Sequence, residues 1–289
     1  MGLFWGKNAK NLNESAGAGA GSGERVGPHP GAGSAVTNWL VQAALGRWSA
    51  GKEARTFAEV LRQCATGSLL LDGSGSNVAD PAQGFRPGDT LGVAYRTDDQ
   101  GRRLLLAFTS NERMSAYHHG EHTVSRVQPA SAVMAQAAAD FDGIAIDPGS
   151  NDLFIAFADE IRRHLTDDPA LNEPLKAALV ERSLSWDELL NLLRSTRSVF
   201  IPVSDVHDES GAVTGVTVPT ARGKNGETYS VAFTSPAELW AWSPPENAHP
   251  TGFMDVALVA RDQGHDGILL NAAGQSVVIS PPELERFLA

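Results

Sequence analysis

The chain is poor in cysteine, in aromatic residues, in positive charge and in long apolar runs, and each shortage excludes something. A single cysteine, Cys64, allows no internal disulfide and suits a reducing compartment. No apolar run approaches the ~20 residues that span a bilayer as a helix. The opening MGLFWGKNAK has neither the apolar core nor the cleavage site of a secretory signal, so the expected location is the cytoplasm. Lys and Arg number 23 against 34 Asp and Glu, a net charge of −11. Clustered phosphate contacts need the opposite sign, which argues against nucleic acid as a partner. The deficit is uneven: residues 166–289 hold 8 basic and 17 acidic residues, residues 37–165 hold 12 and 15. An acidic half suits solubility or a basic protein partner.

What is present in abundance is glycine, 29 residues, nine of them within residues 1–36. AGAGAGSG and GPHPGAG cannot bury enough apolar surface to order themselves. Residues 1–36 are therefore expected to be a disordered arm. Its Leu3-Phe4-Trp5 head is the one apolar feature there, open to docking on a protein or a membrane surface.

The rest of the chain repeats. AFTS occurs at 107–110 and again at 232–235, 125 residues apart. Its surroundings recur in the same order: TFAEVLRQC (56–64) with SWDELLNLL (185–193), FDGIAID (141–147) with HDGILLN (265–271), and EIRRHL (160–165) with ELERFL (283–288). Ordered matches of this kind mark a tandem duplication. The expected domains are 37–165 and 166–289. Periodicity and turn signals place helices of the second copy near 173–181, 185–196, 235–241, 252–263 and 281–288. Strands are expected near 198–203, 214–219, 228–233, 267–270 and 276–280, with Lys224-Asn225-Gly226 turning a hairpin. Each copy is thus α+β, a mixed β-sheet with helices packed on it. Trp186, Leu189, Leu190 and Leu193 form the apolar stripe of one helix.

The hydroxyls of AFTS read as helix starts rather than nucleophiles. Ser235-Pro236-Ala237-Glu238 has capping-box spacing, as do Thr56 with Glu59, Ser185 with Glu188 and Ser280 with Glu283. Other chemical candidates fare no better. His118-His119-Gly120-Glu121-His122 fits H-x-x-E-H, but the zinc pattern needs a helix and Gly120 interrupts it. A metal-dependent hydrolase using His118, Glu121 and His122 remains the alternative it raises. Gly73-Ser74-Gly75 lacks the third glycine and the helix of a dinucleotide site. Cys64 matches Leu193 on an apolar helix face, which favours an inert thiol. No catalytic residue, metal or cofactor is expected. Binding candidates are Trp240 and Trp242, as aromatics at a domain edge, and the acidic loop residues Asp205, Asp208 and Glu209.

SVFIPV, VTVPT, VAFTSPAELWAW and DGILLNAAGQSVVISPPELERFL, taken in that order, make the second copy resemble the N-terminal domain of the SseB family, the "enhanced serine sensitivity" proteins. The first copy resembles a diverged member, with Ala94-Tyr95 where the second has Pro219-Thr220 and Ser115 where it has Trp240. The resemblance implies a fold and no reaction, since the family has no assigned catalytic residues or cofactor; function does not follow from fold. The expectation is a non-enzymatic module that binds a protein partner through its second copy. A small-ligand sensor binding between the two copies is the other alternative.

Overall fold

The computed structural model describes all residues except 1–8, 12–35, 74–75, 77–91, 121–123, 183 and 245. Its elements follow the repeat. After β1 (Ala9–Asn11) the first copy runs α1 (Trp39–Gly51), α2 (Ala54–Gln63), β2 (Ser68–Asp72), β3 (Tyr95–Thr97), β4 (Arg103–Phe108) and α3 (Asn111–Tyr117). It continues with β5 (Ser125–Pro129), α4 (Ala130–Asp140), β6 (Gly143–Ile146), β7 (Phe154–Phe157) and α5 (Ala158–Leu165). The second copy runs α6 (Glu173–Glu181), α7 (Trp186–Ser195), β8 (Val199–His207), β9 (Val213–Thr217), β10 (Thr220–Arg222) and β11 (Thr228–Ala232). It ends with α8 (Pro236–Trp242), β12 (Asn247–Thr251), α9 (Phe253–Asp262), β13 (Ile268–Leu270), β14 (Val277–Ile279) and α10 (Pro281–Leu288). Most of the arm expected over 1–36 lies outside the described residues; within it, β1 lies parallel to β10.

Two compact units form, and they divide the chain differently from the repeat. One joins Glu53–Ala65 to Arg163–Ala289 and includes β1; the other contains Thr66–Arg162 and α1. Helix α2 belongs to the first copy by sequence, yet it packs along α8 of the second. Arg55 Nε, for example, donates to the Ala241 carbonyl at 2.9 Å.

Within Thr66–Arg162 the strand order is β5-β2-β4-β6-β7, with β3 added to β4. β4 and β6 run parallel and the other pairs antiparallel, so the sheet is mixed. The other unit repeats this plan in two pieces, β12-β8-β9 and β1-β10-β11-β13-β14. Phe200 and Phe233 join them by a mutual pair of backbone hydrogen bonds, 2.8 and 2.9 Å. The core of this unit is built from Leu189, Leu190 and Leu193 of α7, Val256 and Ala260 of α9, and Phe287 of α10, packed on Ile268, Leu270 and Ile279. Each of the larger of these side chains contributes about 1.5–3 kcal/mol by leaving water.

The aspartate–glycine pair repeated before β6 and β13 has a backbone explanation. Gly143 and Gly267 have φ of +157° and +136°, and a Cβ there would collide with the Ala156 or Ile279 carbonyl oxygen. Asp142 and Asp266 each accept a backbone N–H from the neighbouring strand, Arg103 N and Thr228 N, both at 2.7 Å. The pair thereby sets the register at which β6 and β13 enter their sheets.

Several local expectations need correction. The run near 214–219 does not cross the Lys224-Asn225-Gly226 turn. β9 pairs with β8, and the separate strand β10 pairs with β11, because Pro219 cannot donate to a continuous ladder. Strand β12 was not anticipated; Asn247–Thr251 carries a proline and no alternation, and it is a strand only because it lies at an edge against β8. The capping box at Ser185 and Glu188 forms, but three others do not form as spaced. Glu53 caps α2 with Thr56 at its third position, Ser280 makes no side-chain cap, and Glu238 turns inward.

Candidate functional site

The repeated threonine sits at the centre of a buried polar node in each unit. β4 ends in Phe108, and the next residue, Thr109, is wholly buried. Its N–H and hydroxyl both donate to the Asp147 carboxylate, at 2.8 and 2.6 Å. Gln42 Nε2 donates to the same hydroxyl at 3.1 Å. In the other unit Thr234 donates its N–H to Asn271 Oδ1 at 2.9 Å, and Asn271 Nδ2 donates back to Thr234 Oγ1 at 3.0 Å. Asp147 and Asn271 occupy the same left-handed position, φ +49° and +55°, which Asp and Asn tolerate better than other side chains. The serines beside them cap helices: Ser110 Oγ accepts from Arg113 N at 3.2 Å and Ser235 Oγ from Glu238 N at 3.4 Å.

The third residue of that helix reverses charge between the copies. Arg113 of α3 donates to Asp152 at 2.8 Å and lies 3.9 Å from Asp147. Burial pushes the Asp147 carboxyl above the ordinary carboxylate range, with Thr109 and Arg113 opposing it. Glu238 of α8 is buried instead beside Arg62 of α2, 3.5 Å away, and Arg62 also lies 3.4 Å from Glu59. Lys176 takes the place of Gln42. It is 3% exposed, its Nζ has no hydrogen-bond partner among the described residues, and burial pulls its pKa down to about 8. Burial likewise raises the Glu238 carboxyl, against Arg62 and Lys176. All three side chains are buried. They form an enclosed ion cluster among α2, α6 and α8, in which burial works against the charges of Lys176 and Glu238 and the opposite charges beside them offset only part of that cost.

The model of the SseB protein N-terminal domain matches residues 41–163 and again 171–286. The chain belongs to the SseB family. Two tandem SseB domains account for the duplicated elements and the duplicated node. Comparisons with curated proteins and with solved structures returned no match.

The candidate residues of the second SseB repeat fall in two places. Trp240 is half-buried on α8: its Nε1 donates to the Glu246 carbonyl at 2.9 Å, His164 packs edge-on at 4.7 Å, and the Arg163 guanidinium lies 5.1 Å from the ring. Trp242, also half-buried, packs 5.5 Å from Phe233. Both rings are thus engaged in packing the second unit. Asp205 is exposed in β8, and Asp208 and Glu209 are exposed in the turn to β9. Asp208 is occupied with that turn, accepting from Ser210 N at 2.8 Å and Ala212 N at 3.1 Å.

The described part of the histidine string, 118–120, does not lie on a helix. α3 ends at Tyr117, His118 is its C-cap, and His119 and Gly120 turn with positive φ. His118 Nε2 faces the buried Asp72 at 2.9 Å, while Glu121 and His122 lie outside the described residues. Among the described residues, no group of three or more His, Cys, Asp or Glu is placed to hold a metal ion, and no helix is long and apolar enough to cross a membrane. Cys64 is wholly buried. A serine–histidine contact was not anticipated, Ser230 Oγ to His265 Nδ1 at 2.8 Å. Ser230 is wholly buried in β11.

An apolar groove on the second repeat was also missed. A groove of about 280 Å³ lies between the end of α6, the start of α7 and β14, lined by Leu179, Leu184, Trp186, Leu189 and Val277. The stripe expected on α7 is buried at its three leucines, but Trp186 is 39% exposed and Leu184 37%. Trp186 is the first residue of α7, one turn short of the packed face. An i, i+3, i+4, i+7 pattern does not distinguish a buried stripe from one that runs out to solvent.

Proposed function

We propose that this SseB-family protein is a non-catalytic protein-binding module of the cytoplasm, whose second repeat docks a segment of a partner protein in the groove between α6, α7 and β14. The observation that carries the reading is the exposed Leu184–Trp186 pair over that groove. A large aromatic at the mouth of an apolar depression is the usual anchor of a protein interface. Of the exposed acids between the lining residues, Asp187 is paired with Arg286 and Glu188 accepts only from Ser185 among the described residues, and the Glu188 charge favours a basic partner over an acidic one. The non-catalytic part of the reading is supported by what the repeated hydroxyls do: Thr109 and Thr234 bind Asp147 and Asn271, and Ser110 and Ser235 cap helices.

Photo-crosslinking tests this. Benzoylphenylalanine is placed at position 186 of the full chain, in the cells that make it, and at the exposed position 254 as a control. A discrete protein adduct from 186 and not from 254, lost when Leu184→Asp is added, is the expected result. No adduct at 186, or the same adduct from both positions, would refute the docking reading.

A further inference from the structure

Resting on that docking reading, we infer that the occupant of the groove is an extended peptide of alternating basic and apolar residues that adds, as a further strand, to the edge of β14 left unpaired among the described residues. β14 stands last in its sheet, paired on one side by β13. The other side of its backbone is the kind of edge that recruits a strand. Its side chains alternate as a strand requires: Ile279 is buried and Val277 half-buried against the α7–α9 core, while Val278 points away and is 39% exposed. A strand laid beside β14 places every second side chain on the helix side, over Leu179, Trp186 and Leu189. Helices α6 and α7 wall that side of the edge and leave the groove open.

The charge at the mouth selects the intervening residues. Glu188 is exposed beside Trp186 and Glu181 is exposed at the end of α6, while the neighbouring Asp187 is paired with Arg286 of α10. Hydrogen bonds from Ser185 hold the Glu188 carboxyl below the usual range, so it is charged at neutral pH. One cation, Arg182, lines the groove. A second copy of this chain would be a poor occupant, because residues 166–289 carry 17 acidic and 8 basic residues and would bring like charge to the same mouth.

The test uses the full chain and two fluorescein-labelled nine-residue peptides. One alternates Lys with Val, Leu or Ile; the other has Glu at every Lys position. Fluorescence anisotropy should show the Lys peptide binding at least about tenfold more tightly, about 1.4 kcal/mol, with the gap shrinking as salt rises. Hydrogen exchange of residues 276–280 should slow when the Lys peptide is bound. Trp186→Ala and Leu184→Ala, each checked for an unchanged melting temperature, should each weaken it. Equal binding of the two peptides overturns the charge assignment, and binding without slowed exchange at β14 overturns strand addition. If neither peptide binds while the crosslink at position 186 forms, the partner class assigned here fails and the docking reading stands. If that crosslink is absent, the docking reading itself has failed.

Discussion

Replacing Asp147 by alanine should strongly destabilise the first SseB repeat. The carboxylate is wholly buried and accepts both the N–H and the hydroxyl of Thr109. Truncation leaves two buried donors without an acceptor, at about 1–3 kcal/mol each. It also puts alanine at φ +49°, which costs about 1–2 kcal/mol more. Allowing for partial relaxation, the expected loss is about 4 kcal/mol. Asp147→Asn is the informative partner, because Asn271 performs the same task in the second repeat, accepting from Thr234 N and donating to its hydroxyl. That variant gives up the Arg113 contact at 3.9 Å, to a guanidinium about a third exposed, worth no more than about 1 kcal/mol. Urea unfolding of the full chain measures the loss, and hydrogen exchange across β4 and α3 places it in the correct unit.

The pH dependence adds an independent arm. Burial raises the Asp147 carboxyl in the native state, so the folded protein holds a proton that the unfolded chain, with an ordinary carboxylate pKa of about 3.9, has released. The contribution of Asp147 is then fully present below that unfolded value and falls as pH rises towards the native one. The balance between the two should therefore shift towards Asn as pH rises above about 4. Asp147→Ala within about 1 kcal/mol of the parent, or Asp147→Asn as damaging as Asp147→Ala, would refute the account of the node.

Lys176→Met should stabilise the second unit at pH 7 and abolish a rise in stability between about pH 8 and 10.5. The buried amine has its native pKa lowered to about 8, so charging it there costs up to about 3 kcal/mol; thermal melts across that range decide. Gly267→Ala should cost more than about 2 kcal/mol, because its Cβ meets the Ile279 carbonyl; a melting temperature within a few degrees of the parent would contradict it. Ser185→Ala removes a formed capping box and should cost about 1 kcal/mol, whereas Ser280→Ala, with no side-chain cap to lose, should cost a few tenths at most. Paired urea titrations compare the two.

What could be read in the letters was what lies within one turn or one strand. The helices expected at 173–181, 185–196 and 281–288 stand within a residue of their places, because caps and apolar spacing act over three or four positions. The Ser185 box is legible for the same reason. The box at Ser235 looked identical and is different, because α2 covers α8 and Glu238 meets Arg62, 176 residues away in sequence. Strand β12 was invisible, since its identity comes from β8 and its own residues carry no pattern. The node was half legible: the duplication exposed Thr109 and Thr234, but their partners lie 38 and 37 residues further on.

The sequence by itself determined that the chain is a tandem pair of mixed-sheet domains, because duplication and local hydrogen bonding leave marks within a short window. It also marked the repeated threonines, serines and aspartate–glycine pairs as fixtures of the fold. Only the tertiary structure decided that α2 packs along α8, that Glu238 and Lys176 are enclosed while Asp187 and Glu188 are not, and that Trp186 stands open over a groove beside β14. Burial is a property of what a distant segment covers, and a charge or an aromatic ring reads the same in sequence whether or not it has been covered.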